Sequence, residues 1–159
     1  MITRLLLLAM LFAAGAASAE PFVVFVRHAE KAAGGGNDPD LSEPGMARAE
    51  ALAQMLRDSK ISAVFTSEFK RTKQTAAPTA KLLGITPTVV AGKDATELVA
   101  KLKSLNGNAL VVGHGNTIPE LVNALGIQES TDIKENDYTQ IFVVTLGDKP
   151  QLLRLHYIH

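Results

Sequence analysis

Two arginines and two histidines carry the chemistry open to this chain. Arg27 and His28 stand together in the stretch RHAEK, Arg71 lies in TSEFKR, and His114 sits between glycines in VVGHGNT. A guanidinium offers planar, forked donors that match phosphate oxygens. An imidazole, with an ordinary pKa of about 6.5, is largely neutral near pH 7 and can attack or exchange a proton. Brought to one place, the four side chains would make a dianion pocket in which a histidine can act as nucleophile. The remaining histidines, His156 and His159, lie at the C-terminus and read as surface or strand residues.

Each of these groups follows a segment that must position it. Phe22–Val26 is an unbroken apolar run rich in β-branched and aromatic residues, the pattern of a strand buried on both faces. Ile61–Thr66 and Ala109–Val112 are further apolar strands, ending just before Ser67–Arg71 and Gly113–Thr117, and Thr86–Val90 is a weaker one. Between them lie helical patterns. Ser42-Glu43-Pro44 is an N-cap with proline in the first turn of a helix reaching about Asp58. Thr72–Leu83, with Pro78 expected to kink or restart it, is closed by Gly84. Asp94 can cap a helix over Ala95–Leu105, and another helix carries Pro119 in its first turn and stops at Gly126. Ala32–Leu41 is a Gly-rich loop, and Ile127–Asp137 a polar one. Ile141–Leu146 and Leu152–Tyr157 form an antiparallel hairpin. The alternation predicts an α/β fold: one domain, a mostly parallel sheet with helices on both faces, and the hairpin at its end. Ligands in such sheets sit beyond the carboxyl ends of the strands, where all four groups fall.

RHAEK, LSEPGMARAEAL, TSEFKRTKQTA and VVGHGNT, in that order, resemble the histidine phosphatase superfamily. The likeness runs from Phe22 to about Leu125 and points to its small bacterial members, of the phosphoglycerate mutase-like and phosphohistidine phosphatase type. It implies that His28 is the nucleophile that becomes phosphorylated and that Arg27, Arg71 and His114 hold the phosphoryl group. It also implies a carboxylate that protonates the leaving group, for which Glu97 and Asp94 are the candidates, with Glu30 next. Members specialised for phosphohistidine lack such an acid. Lys31 and Asn116 are expected at the substrate, although Glu30 and Lys31 also read as a solvated pair and Asn116 as a helix cap. No cofactor and no metal are expected.

Other readings fit the same residues less well. His28, His114 and Glu30 could hold a metal, but Arg27 would then stand beside the cation. Gly113–Gly115 has the form of a nucleophile elbow with histidine where serine is required. Gly34–Gly36 is not followed by the Gly-Lys-Ser/Thr of a P-loop. A binding module for anionic or phosphorylated ligands would keep the arginines without needing a nucleophilic histidine.

Composition sets the outer bounds. Met1–Ala19 has the form of a signal peptide: Arg4, then Leu5–Ala14, then Ala17-Ser18-Ala19. Cleavage would leave a domain over 20–159, periplasmic or secreted, without stable membrane insertion. The 159 residues include no Cys, so there is no thiolate chemistry and no disulfide. The 16 basic and 16 acidic residues become 15 and 16 once Arg4 is removed. That is not the footprint of a nucleic-acid binder, and the expected partner is a small phosphorylated substrate.

Overall fold

The computed structural model describes residues 19–157; the predicted signal peptide lies outside them, save for Ala19, as does His159. Phe22–Arg27 forms β1, every residue from Val23 onward buried. Its alternating side chains divide between two cores. Val23 and Phe25 join one apolar cluster, Val24 and Val26 the other. A sheet must therefore lie between two helical layers, and it does.

The elements follow in order: α1 (Glu43–Leu56), β2 (Ile61–Thr66), α2 (Lys70–Leu83), β3 (Thr88–Val89), α3 (Ala95–Lys103), β4 (Asn108–Gly113), α4 (Thr117–Ala124), β5 (Gln140–Thr145) and β6 (Leu152–His156). The six strands run β3-β2-β4-β1-β5-β6. β3, β2, β4 and β1 are parallel; β5 and β6 pair antiparallel. Leu52 and Leu56 of α1 and Ala76 of α2 pack with Val24, Val26, Leu110 and Val112 on one face. Leu98 and Leu102 of α3 and Ile118, Leu121 and Val122 of α4 pack with Val23, Phe25 and Val111 on the other. Each fully buried Leu or Val here is worth about 1.5–3 kcal/mol of apolar transfer.

Two consequences bear on the site. Arg27 stands in register with Gly113, and Thr66 with Val112, so three strands end in one layer. The chain leaves β1 toward the α1 face and β4 toward the α4 face. The gap between those departures is a topological switch point, the usual place for a ligand.

Local details depart from the sequence reading at three places. Pro78 neither ends nor restarts α2, which runs unbroken and begins earlier, at Lys70. Asp94 and Asn116 occupy the N-cap positions of α3 and α4 without a side-chain capping bond. Thr117 serves α4 instead, its Oγ1 accepting from the His114 N–H at 3.0 Å. Gly45 has its own reason to be glycine. A β-carbon there would collide with the Glu30 carbonyl oxygen, because the first turn of α1 docks directly against the chain beyond His28.

Candidate active site

A cleft of about 550 Å³ opens over the ends of β1, β2 and β4, and Arg27, His28, Arg71 and His114 all line it. His28 follows the last residue of β1, and its backbone N–H donates to the Gly113 carbonyl at 2.9 Å, locking the two strand ends together. Its ring is held from below. Nδ1–H donates to the Ala29 carbonyl at 2.8 Å, which leaves the Nε2 lone pair free to attack. The Ala29 N–H in turn donates to Thr75 Oγ1 of α2 at 2.9 Å. Burial lowers the His28 pKa to about 4, the flanking Arg27, His114 and Arg71 charges adding to the effect against the opposing Ala29 bond. The imidazole is therefore neutral at pH 7.

The two arginines are tied back in the same way. Arg27 Nη1 donates to the carbonyls of Lys134 (3.0 Å) and Glu135, and its guanidinium lies 4.6 Å from the Tyr138 ring centroid. Arg71 Nη1 donates to the Asn37 carbonyl at 3.4 Å and lies 3.8 Å from the Asp38 carboxylate, while its guanidinium lies 4.2 Å from the centre of Phe69. In both, Nε is buried and has no partner among the described residues. A buried donor left unsatisfied costs about 1–3 kcal/mol, more when charged. Two such donors on cleft arginines are what an anion with several oxygens would satisfy.

His114 completes the set, its ring centroid 5.4 Å from that of His28 in an edge-on arrangement. Nε2 lies 2.9 Å from Ser67 Oγ. Burial is the main cause of its pKa falling to about 4, with Arg71 and Arg27 adding to it and Glu68 opposing.

The cleft also takes Lys31 and Asn116, both exposed at its rim, as well as Glu68, Phe69 and Lys93. It does not take Glu97. That carboxylate, expected as the leaving-group acid, is exposed on α3 and pairs with Lys101 one turn on, at 3.4 Å. Asp94 lines a separate cavity of about 30 Å³ beside Leu98 and Val111. Glu30 accepts from both Nε and Nη2 of the buried Arg48, at 2.9 and 2.7 Å, which removes it as a donor and as a metal ligand. Sequence reasoning passed over Glu68. Hydrogen bonds from its own N–H and from the Gly92 N–H hold its carboxyl below the usual range, so it is ionised. Ser67, Thr72, Thr75 and Tyr138 were also not singled out. The SxxxRT spacing of Ser67, Arg71 and Thr72 around one helix start was the available signal for the first two.

Residues 23–94 match the family model of the histidine phosphatase superfamily (branch 1), a span that carries Arg27, His28 and Arg71 and ends before His114. The chain is similar to the protein histidine phosphatase SixA complexed with tungstate, at 21% identity and a TM-score of 0.73, over 85% of this chain and 96% of that one. It is similar to mycobacterial hydrolase 2 at 15% identity and a TM-score of 0.66, over 89% and 94%. It is also similar to the mycobacterial glucosyl-3-phosphoglycerate phosphatase Rv2419c, at 16% and 0.67, over 89% and 100%. At these identities the likeness establishes a shared fold. No curated protein sequence matches the chain.

Proposed function

We propose that the chain, whose residues 23–94 match the family model of the histidine phosphatase superfamily (branch 1), is a member of that superfamily and hydrolyses phosphomonoesters or phosphoramidates through a phosphohistidine on His28. The observation that carries this reading is the pair of buried, unpartnered Nε–H donors on Arg27 and Arg71, beside a neutral imidazole whose Nδ1–H is already committed. Phosphoryl transfer asks a protein mainly for positioning and for neutralisation of charge on three equatorial oxygens. The two guanidinium edges supply the charge, and Nε2 of His28 supplies the in-line nucleophile. The intermediate divides one hard displacement into two easier ones. The enzyme works without metal or other cofactor in this reading. The leader-like Met1–Ala19 supports a location in the periplasm or outside the cell, and in this reading Lys31 and Asn116 contact the rest of the substrate.

Turnover of nitrophenyl phosphate by the mature protein in the presence of EDTA tests the proposal. Activity is expected to survive the chelator, to be competed by tungstate or vanadate, and to be unchanged in Glu97→Gln. Binding of those oxyanions without any turnover would favour the binding-module reading instead. Activity abolished by EDTA and restored by zinc would favour a metal site.

A further inference from the structure

The hydroxyls behind His114 can be assigned by counting protons. Thr72 Oγ1 lies 2.9 Å from the Phe69 carbonyl and 3.2 Å from the Ser67 carbonyl. Carbonyl oxygens only accept, so the single Thr72 hydrogen goes to one of them. Ser67 Oγ, 2.9 Å from Thr72 Oγ1, must then donate to it. With its own hydrogen spent, Ser67 Oγ can only accept from its other neighbours. Those are the Phe69 N–H at 3.4 Å and His114 Nε2 at 2.9 Å. The proton of His114 therefore sits on Nε2, and Nδ1 keeps a lone pair. This is the reverse of His28, whose proton sits on Nδ1.

Resting on the phosphatase reading above, we propose that Ser67, backed by Thr72, is a positioning residue that fixes this tautomer, and that Nδ1 of His114 carries the leaving-group proton. Among the described residues the cleft is lined by two glutamates, Glu68 and Glu135, and the Glu135 carbonyl accepts from Arg27 Nη1. Glu97 pairs with Lys101 outside the cleft, Glu30 is held by Arg48, and Glu68 is an ionised acceptor of the Gly92 N–H. The groups facing His114 are Arg27 and His28 from the end of β1, Glu68 and Phe69 from the turn after β2, and Arg71 from α2. Burial, with this cationic balance added to it, keeps the free imidazole neutral, and a bound phosphoryl anion favours its protonation.

The steps balance. The substrate enters as its monoanion and passes the phosphoryl proton to His114 Nδ1. His28 Nε2 attacks phosphorus, the ester P–O bond breaks, and the Nδ1 proton goes to the departing oxygen as the alcohol leaves. Water then attacks the phosphohistidine and gives a proton to Nδ1. The P–N bond electrons return to His28, and the proton passes on to the released phosphate.

Two readouts test this on the mature protein. Ring nitrogen-15 spectra at pH 7 should show His114 as the Nε2–H tautomer, becoming a mixture in Ser67→Ala and in Thr72→Val. Kinetically, Ser67→Ala should slow an alkyl phosphate on the order of 10²-fold, the lower end for a positioned acid. Nitrophenyl phosphate, whose leaving group needs no proton, should lose less than about tenfold. Ser67→Thr and Thr72→Ser retain the hydroxyls and should restore both tautomer and selectivity. An Nδ1–H tautomer in the wild type, or equal losses on the two esters, would overturn the proposal. No turnover of either ester would remove the phosphatase reading and the proton-carrying role with it, and the ring spectrum would still decide the tautomer.

Discussion

Replacing Arg27 or Arg71 with Ala should each lower kcat on the order of 10²–10³-fold, the scale for deleting one donor to a developing oxyanion. Both side chains are anchored through Nη1, Arg27 to Lys134 and Glu135 carbonyls, Arg71 to Asn37 and Asp38. The edge bearing Nε is thus held ready, and the reorganisation is completed during folding rather than during reaction. Lys in either place would keep the charge but lose the planar fork, so it should recover only part of the rate. The double variant should fall well short of the product of the single losses, because both donors act on one phosphoryl group. Steady-state kinetics on nitrophenyl phosphate measures all of this. Normal turnover by Arg71→Ala would remove it from the site.

The second large effect is on stability. Glu30→Gln should destabilise the fold by about 2–3 kcal/mol, below the scale for breaking a fully buried ion pair because the Glu30 side chain is 23% exposed. Arg48 is 6% exposed. Beyond Glu30, it donates to the Tyr157 carbonyl at 3.2 Å and lies 5.2 Å from the centre of the Tyr157 ring. Burial opposes its charge, and the Glu30 carboxylate outweighs that burial, keeping the Arg48 pKa above its ordinary value. Without the carboxylate, the buried guanidinium keeps the Tyr157 carbonyl but loses its ion-pair partner. Arg48→Met combined with Glu30→Gln removes the charge as well, and should recover much of the loss. Urea denaturation of the two single variants and the double gives the coupling directly. Additive losses would show that the pair is not coupled. Glu30 lies two residues past His28, and its carbonyl accepts the Ser42 N–H at 2.9 Å. Loosening it should therefore also cost activity.

Much of this was legible in the chain itself. A strand buried on both faces leaves an uninterrupted apolar run, so β1, β2 and β4 could be read, and with them the common edge where Arg27, His28 and His114 fall. Helix ends that depend on a single residue type were also readable. Ser42 accepts from the Gly45 N–H, and Gly84 adopts the left-handed conformation. What could not be read depends on partners distant in sequence. The cradle of Arg27 is made of backbone carbonyls in the loop before β5, and every residue has a carbonyl. The Arg48–Tyr157 contact spans 109 positions. Composition marks Ala32–Leu41 only as a Gly-rich loop, yet its Asn37 and Asp38 grip Arg71, and Asp38 caps α2 by accepting the Lys70 N–H at 2.9 Å. Glu97 lies outside the cleft for a local reason. Four residues before Lys101, on an exposed helical face, it has a partner that requires no fold at all.

The central claim is that phosphorus passes through His28. Quenching the mature protein in alkaline denaturant during turnover of a phosphorus-32-labelled aryl phosphate, followed by peptide mapping at alkaline pH, tests it most directly. Label should appear on the peptide containing His28, be lost in acid and survive alkali, and be absent from His28→Ala, whose turnover should fall to background. Label on another residue, or undiminished turnover by His28→Ala, would contradict the account.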